Sequence, residues 1–247
     1  MITANSQART RAWRQLVALA ATVLLAACGT TGSVPSDPEA QDTGAFPWDA
    51  YQAADGETIW RLDDEASRLW IFVGRAGPMA ALGHDHVVAA GGLEGALRVG
   101  QDDWQATRGE LHLPVARLAV DPAGVRDGLI PGLGPAPSAE AIAATRENLL
   151  GPGLLDAESH PRIIVHVRDL AGTPSRPLAT LEIMVRGAGH ALEVPVRLRR
   201  EGDVLTVSGL AAIPHGDLGL EPFTALGGAL RVAETLVVDF RLRFRRD

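Results

Sequence analysis

Gly83-His84-Asp85-His86 is the stretch of this sequence whose residue types and spacing most suggest chemistry. On a strand, residues two apart share a face, so both imidazoles would point one way and Asp85 the other. Neutral imidazoles are common ligands for zinc or copper, and a His-x-His pair supplies two of the ligands such a site needs. His215, just before Asp217-Leu218-Gly219, is the candidate third ligand. The competing reading is structural, with these histidines hydrogen-bonded in a turn or at a barrel rim.

Cys28 is the second chemical candidate and the sole cysteine of the chain. Arg9, Arg11 and Arg14 precede it without any acidic residue, and Leu16 to Ala27 is apolar except for Thr22. A positive region followed by a short apolar run has the layout of a secretory signal. The run falls short of the roughly 20 residues that span a bilayer. It ends in Leu25-Ala26-Ala27-Cys28-Gly29, which resembles the lipobox of bacterial lipoproteins. That resemblance implies cleavage before Cys28, acylation of its thiol and of the new amine, and stable anchoring by several acyl chains. Gly29, rather than Asp, implies the outer membrane, facing the periplasm, as the destination within the cell envelope.

Other chemistries find little footing. No Gly-x-Ser-x-Gly element is present, and an acylated Cys28 can be neither nucleophile nor disulfide partner. The glycines of residues 128–134 are interrupted by proline, unlike a phosphate-cradling loop. The formal net charge is −7, and losing three arginines with the leader makes the remainder more acidic. Nucleic acid, which calls for a basic surface, is therefore not an expected partner. No catalytic constellation emerges, and the expectation is a protein that is not an enzyme. The oligomeric state is not legible.

The elements that must position these residues are mostly strands. Residues 1–27 read as the signal peptide and 28–55 as a Gly-, Pro- and Ser-rich tether without periodicity, whose Phe46, Trp48 and Tyr51 could dock it. Residues 56–247 read as one domain. Alternation of period two dominates there. Leu236, Val238, Phe240, Leu242 and Phe244 fall on one face of the last segment, with Asp239, Arg241, Arg243 and Arg245 on the other. A slip of one residue would bury the arginines, so the register is strongly specified. His112 and His166 alternate onto polar faces, where solvated histidines are expected, and His160 and His190 fall in turns. Ser138 to Leu150 reads as a helix, with Ser138 as N-cap, Glu140 in the first turn and Gly151-Pro152 as the stop. A Gly/Pro-rich loop from Asp121 to Pro137 leads into it, and Arg146, Glu147 and Asn148 form a polar cluster near its end. Strands apolar on one side fit either a sandwich or a closed barrel.

The chain resembles the YceI-like family from about Trp60 to Phe244. Ser67-Arg68-Leu69-Trp70-Ile71-Phe72-Val73 with the Gly-His-Asp-His element carries the first part. Thr145-Arg146-Glu147-Asn148-Leu149-Leu150, Leu154-Leu155-Asp156-Ala157 and Ser159-His160-Pro161-Arg162-Ile163 carry the second, and Gly216-Asp217-Leu218-Gly219-Leu220-Glu221-Pro222-Phe223 the third. The resemblance implies an all-β fold, an antiparallel lipocalin-like barrel with one helix-containing insertion. It also implies a long apolar ligand of the polyisoprenoid, quinone or fatty-acyl type, an isoprenoid or lipid held as an apolar small-molecule partner. The lining would come from Leu69, Ile71, Val73, Leu111, Leu113, Ile163, Val165, Leu181, Ile183, Val194, Val196, Val207, Val238, Phe240 and Leu242. Burial alone favours such a ligand by about 25 cal/mol per Å². A histidine-based metal-binding or redox-associated envelope protein is the alternative, and a non-catalytic envelope scaffold with a filled interior is a third. The aromatic content of 4% is low for lipid-binding members of the family.

Overall fold

In the computed structural model, residues 45–100, 103–126, 133 and 135–247 are described. The chain divides into two compact units, Met1–Ala45 and Phe46–Asp247. The segment read as a signal sequence and Cys28 lie outside the described residues, and the account below concerns the second unit.

The strands in chain order are β1 (Glu57–Leu62), β2 (Arg68–Val73), β3 (Arg75–Ala76), β4 (His86–Ala89), β5 (Glu94–Gly100), β6 (Arg108–Pro114) and β7 (Ala119–Val120). After α1 (Ala139–Leu150) come β8 (Arg162–Thr173), β9 (Arg176–Val185), β10 (Ala188–Pro195), β11 (Arg197–Glu201), β12 (Val204–Pro214), β13 (Thr224–Ala225), β14 (Leu230–Val232) and β15 (Thr235–Arg246). Each pairing is antiparallel, as expected where neighbours in sequence are joined by short connections. Strands β3, β13 and β14 form a separate small sheet.

The main sheet has twelve strands. β1 and β2 run along one edge of β15, β12 along the other, and β4 and β7 prolong the courses of β5 and β6. The hydrogen-bonded ladder does not close. β10 pairs with β9 only and β11 with β12 only, so the chain itself completes the ring as it crosses from β10 to β11 at Val196. The Val196 amide donates to the carbonyl of Pro177 at 3.0 Å, which ties the crossing to the start of β9. Gly209 makes the closure sterically possible. A Cβ there would lie 2.6 Å from the Phe240 ring and 2.9 Å from the Pro195 carbonyl oxygen.

The register bears out the alternation. Leu236, Leu242 and Phe244 are buried while Arg241, Arg245 and Arg246 are exposed. Leu205, Val207, Ala211 and Ile213 of β12 stand opposite Phe244, Leu242, Val238 and Leu236. The inward face therefore holds three buried clusters, one of them formed by Leu170, Ala179, Val194 and Val196. At one end Trp60, Leu97, Leu205, Leu242 and Phe244 pack together. At the other, Val88, Val115, Leu118, Val120, Leu155, Val185 and Leu220 meet Ile142, Leu149 and Leu150 of α1.

The helix forms where the sequence places it. The Ser138 hydroxyl accepts from the Ala141 amide at 3.2 Å, and the helix ends at Gly151. Its three apolar side chains are only half-buried.

The fifteen residues read as lining share this inward parity, yet differ in burial. Leu111, Leu113, Val194, Val196 and Leu242 are buried. Leu69, Ile71, Val73, Ile163, Val165, Leu181, Ile183, Val207, Val238 and Phe240 keep accessible surface. At the end of the first cluster a cleft of about 330 Å³ opens between Trp60, Val99, Arg200, Leu205 and Arg246. Among the described residues no helix is long and apolar enough to cross a membrane.

Candidate functional site

His86 opens β4 opposite Val73, and the pleat turns it to the inward face shared by Val88. It sits beneath α1 at the end of the barrel that α1 covers. Its Nδ1 lies 2.6 Å from Oδ2 of Asp121, and its Nε2 lies 3.3 Å from Oγ1 of Thr145 on the helix. The Asp121 side chain has no exposed surface. Besides His86, it accepts from the Val87 amide at 2.9 Å and from Arg126 Nη1 at 2.8 Å. The Asp121 amide in turn donates to the carbonyl of Val87 at 2.7 Å.

Asp121 adopts φ +45°, a left-handed conformation that Asp tolerates better than most residues. The cost of such a conformation persists only where surrounding contacts over-determine it. Here the four hydrogen bonds of Asp121 do so. Arg126 is equally buried. Its Nη1 also donates to the carbonyl of Asp85 at 2.6 Å, and its Nη2 to the carbonyls of Leu133 and Pro135 at 2.8 and 3.2 Å. Only its Nε lacks a hydrogen-bond partner. The site is thus a buried His–Asp–Arg network joining β4, the end of β7, the loop after it and α1.

Asp85 points the other way, as the His-x-His reading expected. Its Oδ1 accepts from the Arg75 amide at 2.9 Å, and it pairs with the Arg75 guanidinium at 3.6 Å. The three-histidine metal site is not assembled. His84 is exposed, with its ring 6.1 Å from that of His86. Both ring nitrogens of His86 already face other groups. His215 is buried, and its Nδ1 donates to the carbonyl of Glu234 at 3.0 Å. Among the described residues no three His, Cys, Asp or Glu side chains are arranged to hold a metal. The pair is separated because β4 begins at His86, which leaves His84 in the preceding turn.

A second polar cluster lies on the outer wall. His112 is buried, contrary to the expectation of a solvated ring, and its Nε2 donates to Glu110 Oε1 at 2.5 Å. His166, half-buried rather than fully solvated, stands opposite Glu110 across β6 and β8, with Nδ1 at 3.4 Å from Oε2. The cover comes from the segment ahead of β1. Phe46 is buried against Ile59 and Ala96, its ring 4.9 Å from that of His112 and 4.3 Å from that of Trp48. Burial raises the Tyr51 phenol above its ordinary value, and the charge of Glu110 adds to the effect. Sequence alternation gave the face of His112 but not the cover.

Burial pushes the Glu110 carboxyl up, but hydrogen bonds from His112 and His166 and their charges outweigh it and hold the group at about 2. A carboxyl depressed on folding contributes stability above its unfolded value of 4.5, and the contribution is lost as pH falls toward 2. Glu110→Gln is therefore expected to cost about 1–2 kcal/mol at neutral pH, the shift being discounted for solvent screening of a half-buried group. The gap to wild type should shrink between pH 4.5 and 2, read by urea unfolding at pH 7, 4 and 2.5. A gap that stays flat across that window would contradict the assignment.

Asp121, Arg126 and Thr145 were not singled out as site residues by sequence. Asp121 and Arg126 belong to a Gly/Pro-rich loop without periodicity, and Thr145 to a helix of low amphipathicity, so no spacing links them to His86.

By sequence, no family model and no curated protein matches the chain. By structure, it is similar to BcnA of Burkholderia cenocepacia, with TM-score 0.54 and 14% identity over 74% of this chain and 98% of that one. It is also similar to a Campylobacter jejuni YCEI protein, with TM-score 0.44 and 7% identity over 63% of this chain and 82% of the other. The likeness to BcnA concerns the fold, which is the antiparallel lipocalin-type barrel with one helical insertion that the sequence resemblance implied.

Proposed function

We propose that the chain is an exported lipoprotein whose barrel binds a long apolar molecule of the polyisoprenoid, quinone or fatty-acyl type. The observation that carries this reading is the burial pattern inside the wall. Ten inward-facing apolar side chains, Leu69, Ile71, Val73, Ile163, Val165, Leu181, Ile183, Val207, Val238 and Phe240, keep accessible surface, and all but Val238 do so while packed against a buried cluster. A filled core of this size closes such residues off, since interiors pack at the density of organic crystals. Small eight-stranded barrels either fill their interior or hold one small ligand, and this pattern favours the second. Apolar surface of that kind binds a chain by burial with few polar contacts. The Cys28 sequence supports a position beside a membrane, the source of such molecules.

Native mass spectrometry of the full chain, extracted gently from membranes, tests the reading. The expected result is a lipid-sized adduct, or uptake of added farnesol at one molecule per chain. A protein that carries no adduct and takes up no prenyl chain overturns it.

A further inference from the structure

We infer that Arg200 and Arg246 hold an oxyanion, a carboxylate or phosphate carried on a small apolar body, in the cleft at the barrel end away from α1. The cleft measures about 330 Å³, at the lower end of the range for small-molecule sites. Its apolar wall is Trp60, Val99 and Leu205, and its polar groups are Thr58, Arg200 and Arg246. Trp60 and Leu205, both buried, back the cleft, which makes the site independent of the accessible wall residues in the apolar-ligand reading.

Both arginines break the pattern of their strands. Arg241, Arg243 and Arg245 of β15 take the outward parity, while Leu242 and Phe244 are buried on the inward face. Arg246 continues the inward set and stands opposite Trp60 of β1. On β11, Leu198 stands opposite Val207, and Arg200, two residues on, stands opposite Leu205. Residues directly opposite on paired strands share a face, so Arg200 also ends an inward row. Charged side chains at odds with the alternation of their strands are expected where function overrides packing.

The two guanidiniums are also uncommitted. Their sequence neighbours Arg199 and Arg245 pair with Glu201 and Asp63 at 2.6 and 2.7 Å, and Arg61, next to Trp60, pairs with Asp247 at 2.9 Å. Among the described residues neither Arg200 nor Arg246 has an acidic partner, and no acidic side chain lines the cleft. The Arg200 guanidinium lies over the Trp60 ring at 5.2 Å, with Nε donating to the carbonyl of Gly202 at 3.3 Å. Stacking of this kind orients the fork and leaves its terminal nitrogens to donate. Two like charges thus border one concave wall in a chain of net charge −7. Such a cleft focuses positive potential, which an anion relieves. Guanidinium forks match the oxygens of carboxylate and phosphate, and the Thr58 hydroxyl adds a donor on the same cleft.

Isothermal titration calorimetry on the full chain in detergent, with detergent alone as blank, tests the site. The probes are naphthoate, naphthyl phosphate and the neutral naphthalenemethanol, which share one apolar body. Wild type is expected to bind at least one of the two anions about tenfold more tightly than the alcohol, the worth of a charge-assisted hydrogen bond. Arg200→Gln and Arg246→Gln are each expected to weaken anion binding several-fold and together to erase the preference, with binding of the alcohol unchanged. Arg199→Gln, which removes an outward, ion-paired arginine of the same strand, is expected to leave the preference intact. Arg200 and Arg246 are exposed, so their variants should keep the fold, which thermal unfolding checks. Equal affinity for anions and alcohol, or no binding of either anion, overturns the inference. So does a preference that survives the double substitution, or one that Arg199→Gln abolishes as fully.

Discussion

Asp121→Ala is expected to lower the stability of the barrel unit by about 3–5 kcal/mol, because it leaves the buried Arg126 guanidinium without its counter-charge. The Arg126 side chain is 5% exposed and the Asp121 side chain 0%, so water cannot replace the lost partner. The substitution also removes the acceptor of the Val87 amide and of His86 Nδ1. For a unit of this size each kcal/mol moves the midpoint by roughly 2–4 °C, so a fall of about 10 °C is expected in thermal unfolding. A second variant separates the charge from the packing. Asp121→Ala combined with Arg126→Met removes both ions and should recover much of the loss, since replacing a buried pair by apolar side chains is often nearly neutral. If the single substitution costs no more than an exposed ion pair, about 1 kcal/mol or less, the network is not the buried structure described.

Cys28→Ala is expected to move the protein from the membrane fraction to the soluble one almost completely. Each buried CH₂ of an acyl chain contributes about 0.8 kcal/mol, and one chain alone binds a bilayer only marginally. On the proposed lipoprotein reading, anchoring through several chains on one residue disappears as a unit with that residue. The acidic net charge of −7 gives no second attraction to an anionic membrane surface. Fractionation of cells producing either form reads the outcome. A Cys28→Ala chain that stays in the membrane fraction would show that the anchor lies elsewhere.

Where one side chain decides a face, the sequence was informative. In β15, Arg241, Arg243 and Arg245 alternate with Phe240, Leu242 and Phe244, and the register follows because the arginines stay outside. The α1 boundaries were equally legible, since the Ser138 cap and the Gly151-Pro152 stop are local signals. β5 was harder. Its Glu94-Gly95-Ala96-Leu97 start offers small residues where other strands show Val or Ile, and Gly95 is small because the Leu111 side chain lies against it. The closure of the barrel was not legible, because it depends on β10 handing over to β11 at Val196 rather than on any periodicity.

By itself, the sequence determined the strand-rich class, the inward and outward faces, the capped helix and the chemical interest of His86. These follow from local rules in which each residue's neighbours along the chain set the outcome. Only the tertiary structure decided what His86 does. It placed Asp121, 35 residues away, and Thr145, 59 residues away, on the two nitrogens of its ring, and left His84 outside in a turn. It also set His112 beneath Phe46. The physical reason is the same in each case. A buried polar group must find its partners in three dimensions, and hydrogen-bond geometry between distant segments leaves no period in the sequence.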